Sequence, residues 1–311
     1  MAADTEHPAP HTAVFVAPAA GSALREEFAQ TLANETGSSI SLSSLCSKGN
    51  DFAFEAPLAA MSFPEALRLQ KSLEKRFSHS ADVAVLPTKG RRKALLVSDM
   101  DSTIITVECL DELADFAGKK AEVSAITERA MAGELDFDAA LKERVAMLAG
   151  LPMRELQACF DARITLSPGA GTLLATLKAN GIRSVLVSGG FTFFTRRVAA
   201  QLGFDAHRGN TLVDDGAKLT GEVGLPILGR DAKLAALKDE SDALNVTLEH
   251  TVTLGDGAND LAMIKASGLG IAYRAKPIVA AEARCAINHT SLRTVLYFQG
   301  YTDAEIVAAK G

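Results

Sequence analysis

The first ninety residues carry apolar runs and amphipathic stretches in the order strand, helix, strand, strand, helix, strand. Thr12–Val16 is a short apolar strand, and Ser22–Glu35 has the composition of a helix with Ser22 as its candidate N-cap. Strands are predicted over Ser39–Cys46 and Asp51–Ala56, joined by the turn-rich Ser47-Lys48-Gly49-Asn50. Pro64–Phe77 reads as a helix, with proline just inside its start and Ala66, Leu67 and Leu73 at helical spacing. Asp82–Leu86 is a last strand, and Pro87-Thr88-Lys89-Gly90 has the character of a linker.

That order is the one of a ferredoxin-like split βαβ unit, which would occupy residues 1–88. From residue 89 to 311 the pattern changes. Lys93–Ser98 is a continuous apolar run of the kind buried on both faces of a parallel sheet. Ser184–Ser188, Thr251–Leu254 and Gly268–Ala272 read similarly, separated by helical stretches at Gly171–Ala179, Thr192–Leu202, Asp231–Leu244 and Asp260–Ala266. Strands alternating with helices predict an α/β fold with a doubly wound parallel sheet. Gly209–Glu222 alternates around Asp214-Asp215-Gly216 and predicts an inserted hairpin.

Between Cys109 and Pro168 the pattern is helical throughout, in four amphipathic segments: Glu108–Phe116, Ala121–Ala132, Phe137–Leu148 and Met153–Ala162. A block of that size between two strands is too large for a crossover helix. It predicts a cap, about 107–166, standing over the strands' carboxyl ends, where open α/β sheets bind ligands. Residues 104–107 and 164–169 would be its hinges.

Composition narrows the function. Hydrophobic residues make up 48% and charged residues 23% of the 311 positions, as in ordinary globular proteins. A net charge of −6 argues against nucleic-acid or anionic-membrane partners, and Arg91-Arg92-Lys93 reads as a solvated strand entry. No apolar run is long enough for a membrane span, and no basic-then-apolar leader opens the chain. The four cysteines, at 46, 109, 159 and 285, lack zinc-site spacing and suggest reduced thiols in the cytoplasm. Leu296-Tyr297-Phe298-Gln299-Gly300 matches part of a protease tag site, but it is internal and incomplete and is taken as native.

Candidate chemistry begins at Asp99-Met100-Asp101-Ser102-Thr103, directly after the buried strand. Two carboxylates two residues apart at a strand end can reach one centre, the first as nucleophile and the second as general acid and base. A calcium loop is excluded, because Thr103, Ile104 and Leu110 stand where an oxygen ligand, glycine and glutamate are needed. The stretch resembles the first motif of the haloacid dehalogenase superfamily, in its phosphoserine phosphatase branch. Ser188-Gly189-Gly190-Phe191, Lys233 and Gly255-Asp256-Gly257-Ala258-Asn259-Asp260 follow in the order of that family's remaining motifs. The similarity spans roughly residues 93–300.

The resemblance implies a set of roles. Asp99 would attack phosphorus and Asp101 would move the proton. Ser188, Gly189 and Lys233 would hold the phosphate, with Gly190 and Asn259 beside the substrate. Asp99, Asp256 and the Asp101 carbonyl would bind Mg2+, and Asp260 would hold Lys233 or a metal-bound water. In the cap, Glu108 would take the substrate ammonium, Arg144 its carboxylate, and Met131 and Phe137 would exclude water. The implied reaction is hydrolysis of L-phosphoserine, the last step of serine biosynthesis. A phosphatase or phosphotransferase for another small phosphorylated metabolite is the alternative. The N-terminal unit is similar in element order to ACT domains, which implies a regulatory or dimerising module and a possible homodimer.

Overall fold

A computed structural model describes residues 9–18, 22–46, 51–131, 135–229 and 231–308, with the backbone alone for Ser22, Glu128, Ala130 and Met131. The expected 47–50 turn and Ala132 lie outside the described residues.

The N-terminal sheet contains β1 (Ala9–Ala17), β2 (Ser43–Cys46), β3 (Phe52–Met61) and β4 (Asp82–Pro87), in the antiparallel order β2-β3-β1-β4. Two helices, α1 (Ser22–Thr36) and α2 (Phe63–Arg76), complete the βαββαβ order. Strand β1 is apolar from Ala13 to Ala17 because both of its faces are covered. Ala13, Phe15 and Ala17 pack under the helices, where Phe15, Phe28 and Phe77 meet with ring centroids 4.8–5.9 Å apart. Val14 and Val16 point the other way and share a core with Val295, Leu296, Tyr297 and Phe298 near the C-terminus. The Leu296–Gln299 stretch is therefore part of the buried core.

The basic run departs from expectation. Arg91 is only 9% exposed at its side chain. It pairs with Glu55 at 2.7 Å and donates to the carbonyls of Tyr297 and Phe298. Lys93 is buried too, and its ammonium donates to the Gly90 and Glu249 carbonyls. Three adjacent cations looked solvated in sequence, yet two of them fasten the junction between the sheets.

The second sheet comprises β5 (Leu95–Ser98), β6 (Arg183–Phe191), β7 (Ala206–Asn210), β10 (Thr251–Gly255), β11 (Leu269–Tyr273) and β12 (Cys285–Ile287). Its order is β12-β11-β10-β5-β6-β7 and every pairing is parallel. Leu96, Leu186 and Leu254 face α7 (Ala170–Ala179) and α8 (Thr192–Leu202). Leu95, Val97, Val185 and Val187 face α9 (Ala232–Ala243) and α10 (Leu261–Ala266). From β5 the chain steps outward to β6 and β7, and later from β10 outward to β11 and β12. The β5/β10 boundary is thus the topological switch point.

Two short edge strands escaped the sequence reading. Ala206–Asn210 and Cys285–Ile287 are too short, and β7 too polar, for an apolar pattern. The predicted hairpin consequently begins later than expected. Gly209 and Asn210 belong to β7, and the hairpin is β8 (Leu212–Asp214) with β9 (Leu219–Val223). Two short helices, α11 (Pro277–Glu282) and α12 (Thr294–Phe298), complete the C-terminal region.

The cap is α3 (Cys109–Phe116), α4 (Lys120–Met131), α5 (Phe137–Ala146) and α6 (Met153–Arg163), inserted between β5 and β6. Its outgoing and returning stalks pair with each other through an Ile105/Leu166 bridge. The hairpin is hooked to the cap: Gly150 and Leu219 N–H groups donate to Leu219 and Leu151 carbonyls, at 2.8 and 2.9 Å.

Candidate active site

Everything chemical converges on the carboxyl ends of β10, β5 and β6. The Asp99 N–H donates to the Leu254 carbonyl at 3.0 Å, which continues the ladder one residue beyond β5 and fixes the carboxylate at the switch point. Asp99 is 5% exposed, Lys233 3% and Asp260 0%. The Lys233 ammonium lies 2.8 Å from Asp99 Oδ1 and 2.6 Å from Asp260 Oδ1. The second Asp260 oxygen accepts the N–H groups of Asp256 and Gly257 at 3.2 and 3.0 Å. Both Asp260 oxygens are thereby engaged, one orienting the lysine and the other shaping the Asp256 turn. This turn requires glycine at 255, since a Cβ there would lie 2.2 Å from Asp260 Cγ.

Burial pushes the Asp99 carboxyl well above its usual range. The Lys233 ammonium pulls it down, while Asp260, Asp101 and Asp256 push it up. For Lys233, burial works against the charge, but Asp260 and Asp99 more than offset it and hold the ammonium above its ordinary value. Asp256 is raised to about 6 by burial and by Asp260. Three carboxylates around one ammonium leave negative charge in excess, which is the electrostatic setting for a cation.

Asp99, Asp256 and Asp260 can bring one oxygen each within 4.8 Å of one another. With Asp260 bonded at both oxygens, Asp99 and Asp256 are the better donors. An all-oxygen, carboxylate-poor set of this kind fits a hard octahedral ion that keeps several waters, as Mg2+ does.

Asp101 is held at both oxygens. Oδ1 accepts the Cys109 N–H at 2.8 Å, and Oδ2 accepts the Ser188 hydroxyl at 2.7 Å. The Ser188 oxygen in turn accepts the Gly190 N–H at 2.8 Å. Gly190 has no room for a side chain, because a Cβ would come within 3.0 Å of both Asp101 Oδ2 and Ser188 Oγ. A small cleft opens beside these groups, lined by Phe137, Ser188, Gly189, Leu228, Lys233 and Asn259 among others. Phe137, the first residue of α5, reaches down from the cap. A Cβ on Gly189 would sit 3.1 Å from its ring.

The cap residues expected at the site are partly brought there. Glu108 precedes α3 and accepts the Ser102 hydroxyl at 2.7 Å. Its side chain is exposed to solvent. Burial and the Asp101 charge push its carboxyl up to about 7, against the Ser102 hydrogen bond. Arg144 is half-buried and donates to the Ala140 carbonyl and to the Thr127 hydroxyl, at 3.1 and 3.4 Å. Burial lowers its pKa, while the Asp111, Glu108 and Asp101 charges act in the opposite direction. Met131 ends α4, and its side chain lies outside the described residues.

Three site-shaping residues carried no signal of their own. Ser102, at φ 54°, steadies Glu108. The Thr103 hydroxyl donates to Asp256 at 3.3 Å. Asn210, 1% exposed, donates to the Gly189 carbonyl and accepts the Leu228 N–H, both at 2.7 Å, so β7 ties together two walls of the cleft. Asn210 stood in a stretch read as hairpin, where nothing marked it.

Comparison with known proteins agrees with this geometry. The haloacid dehalogenase-like hydrolase profile matches residues 96–265. A phosphoserine phosphatase of Polaromonas is 44% identical over 207 residues, covering 65% of this chain and 88% of that protein. A phosphoserine phosphatase of Streptomyces coelicolor is 44% identical over 230 residues, 73% of this chain, which spans only 56% of that longer protein. A crystal structure of a haloacid dehalogenase family hydrolase from Salmonella enterica superposes with a TM-score of 0.83. It is 31% identical and covers 93% of this chain and 98% of its own. The chain belongs to the haloacid dehalogenase-like hydrolases, in the branch that contains the phosphoserine phosphatases.

Proposed function

We propose that this protein is a Mg2+-dependent phosphatase that hydrolyses L-phosphoserine to L-serine and inorganic phosphate. The observation that carries the reading is the buried Asp99–Lys233–Asp260 chain at the switch point, with Asp101 one hydrogen bond from Ser188. An Asp99 oxygen attacks phosphorus and the bond to the serine oxygen breaks, leaving an aspartyl-phosphate. Asp101 gives its proton to the departing oxygen. It then takes one from the water that attacks the intermediate, which releases phosphate and restores Asp99.

Lys233, the Ser188 hydroxyl and the Gly189 N–H hold phosphate oxygens as charge builds on them, and Asn259 borders the same cleft. The Ser188 hydroxyl donates to Asp101 Oδ2. Turning toward a phosphate would free Asp101 Oδ2 to meet the leaving oxygen. A Mg2+ ion held by Asp99, Asp256 and the Asp101 carbonyl would screen the two anions and polarise the phosphoryl group. Glu108 would pair with the substrate ammonium and Arg144, bidentately, with its carboxylate. Phe137, with Met131, would close over the substrate. The relatives named above support this substrate class, and four buried cysteines without a disulfide suit a reducing, cytoplasmic setting.

The division adopted is residues 1–88 for the N-terminal unit and 89–311 for the catalytic unit, with the cap at about 107–166. Because the two share a core, the N-terminal unit acts as a docked part of the enzyme and not as a free arm. The decisive experiment measures phosphate release from L-phosphoserine with Mg2+ and with EDTA, using Asp99→Asn as control. Turnover surviving either EDTA or the substitution overturns the assignment.

A further inference from the structure

Asp82 opens β4 and is 3% exposed. Its carboxylate leaves the N-terminal sheet and enters the loop after β12 in the other unit. Oδ1 accepts the Asn288 N–H at 2.7 Å, and Oδ2 accepts the Thr290 N–H at 2.9 Å and the Thr290 hydroxyl. The His289 N–H is shared between the two oxygens at 3.2 and 3.3 Å. Successive main-chain N–H groups turned onto one anion form a nest, and an ionised acceptor makes each of these bonds stronger than a neutral one would.

The gripped loop continues directly to the base of the cap. The Leu292 N–H donates to the Pro168 carbonyl at 2.9 Å. Gly169, at φ +84°, is packed so closely that a Cβ would lie 2.7 Å from Arg293 N and 2.9 Å from Ser291 Oγ. Pro168 and Gly169 end the returning stalk. The Ser167 N–H donates to the Ile104 carbonyl, and the Thr106 N–H to the Thr165 carbonyl, each at 2.9 Å, tying the returning stalk to the outgoing one. Ile104 and Ile105 N–H groups both donate to the carbonyl of Met100, which stands between Asp99 and Asp101.

We infer that Asp82 is a positioning residue of the N-terminal unit: by gripping residues 288–290 it sets the seat of the cap's stalk at Pro168-Gly169. Contiguity alone transmits nothing. Here the two segments are joined by the Leu292-to-Pro168 hydrogen bond and approach closely enough at Gly169 that no side chain fits between them, so a shift of 291–293 is passed to the stalk. The sequence offered no hint, since the partners are more than two hundred positions apart.

The test compares amide hydrogen exchange in the full-length protein with Asp82→Ala and Asp82→Asn, alongside thermal unfolding. The Thr106 and Ser167 amides are expected to exchange roughly tenfold faster in Asp82→Ala, with Val97 and Val185 in the central strands unchanged. In the same variant kcat/KM should fall more for phosphoserine than for p-nitrophenyl phosphate, which makes few cap contacts. That arm rests on the proposed function, whereas the exchange arm does not, so failure of the two is separable. The inference is overturned if only the 288–290 amides accelerate, or if all amides accelerate alike as in general destabilisation. Should Asp82→Ala not fold, the isosteric Asp82→Asn decides by the same readout.

Discussion

Replacing Lys233 by methionine isolates two carboxylates that the fold cannot hydrate. Asp99 and Asp260 are 5% and 0% exposed, and both lie within 2.8 Å of the ammonium that would be lost. Removing one partner of a buried ion pair costs about 3–5 kcal/mol, because the remaining charge stays in place without compensation. For a unit of this size that corresponds to a fall in Tm of roughly 6–20 °C. Turnover should drop at least ~10²-fold, as when a preorganised charge-stabilising group is removed.

Thermal unfolding in EDTA reads the first effect and phosphate release with Mg2+ the second. The pH dependence has a definite sign. Asp99 has a raised pKa, so it penalises folding increasingly as pH rises from the ordinary carboxylate value to the raised one, and the penalty is gone only below the ordinary value. Loss of Lys233 raises it further, so the stability deficit should be largest at neutral pH and shrink as pH falls. Adding Asp260→Asn to Lys233→Met should restore part of the stability, since Asp99 stays unpaired, and none of the turnover. A single variant within about 1 kcal/mol of the parent, or a double variant no more stable than the single, would refute the reasoning.

Other expectations follow from the same geometry. With Glu108 at about 7, kcat/KM for phosphoserine should fall as pH drops through that value, and Glu108→Gln should flatten this limb while leaving that of p-nitrophenyl phosphate alone. Arg144→Ala should raise KM for phosphoserine by about 10–100-fold, from loss of charge-assisted hydrogen bonds, with p-nitrophenyl phosphate as the unaffected comparison. Gly255→Ala should abolish activity although Gly255 touches no substrate, because its Cβ would displace Asp260; a near-normal rate would contradict the packing. A chain truncated to begin at Lys89 should aggregate, since it exposes the face of Val295, Leu296 and Phe298; a soluble monomer by light scattering would show that the shared core is dispensable.

Sequence by itself determined the element order, the doubly wound sheet and the inserted helical cap. These follow from local periodicity, which a buried strand or an amphipathic helix must display wherever it sits. It also placed Asp99, Asp101, Ser188, Lys233 and Asp256 at strand ends or just inside a helix, from which the fold brings them together. Tertiary structure alone decided how their charges are shared. Lys233 reads as an ordinary helix lysine until burial puts it between Asp99 and Asp260. Arg91 looks solvated until Glu55 and the Tyr297 and Phe298 carbonyls close over it, and Lys93 until the Gly90 and Glu249 carbonyls do. Asn210 and Asp82 leave no local trace, because their partners come from distant segments and a polar side chain bonded to remote backbone has no periodicity to betray it. Local pattern records which face of an element is covered; only the assembled fold records by what.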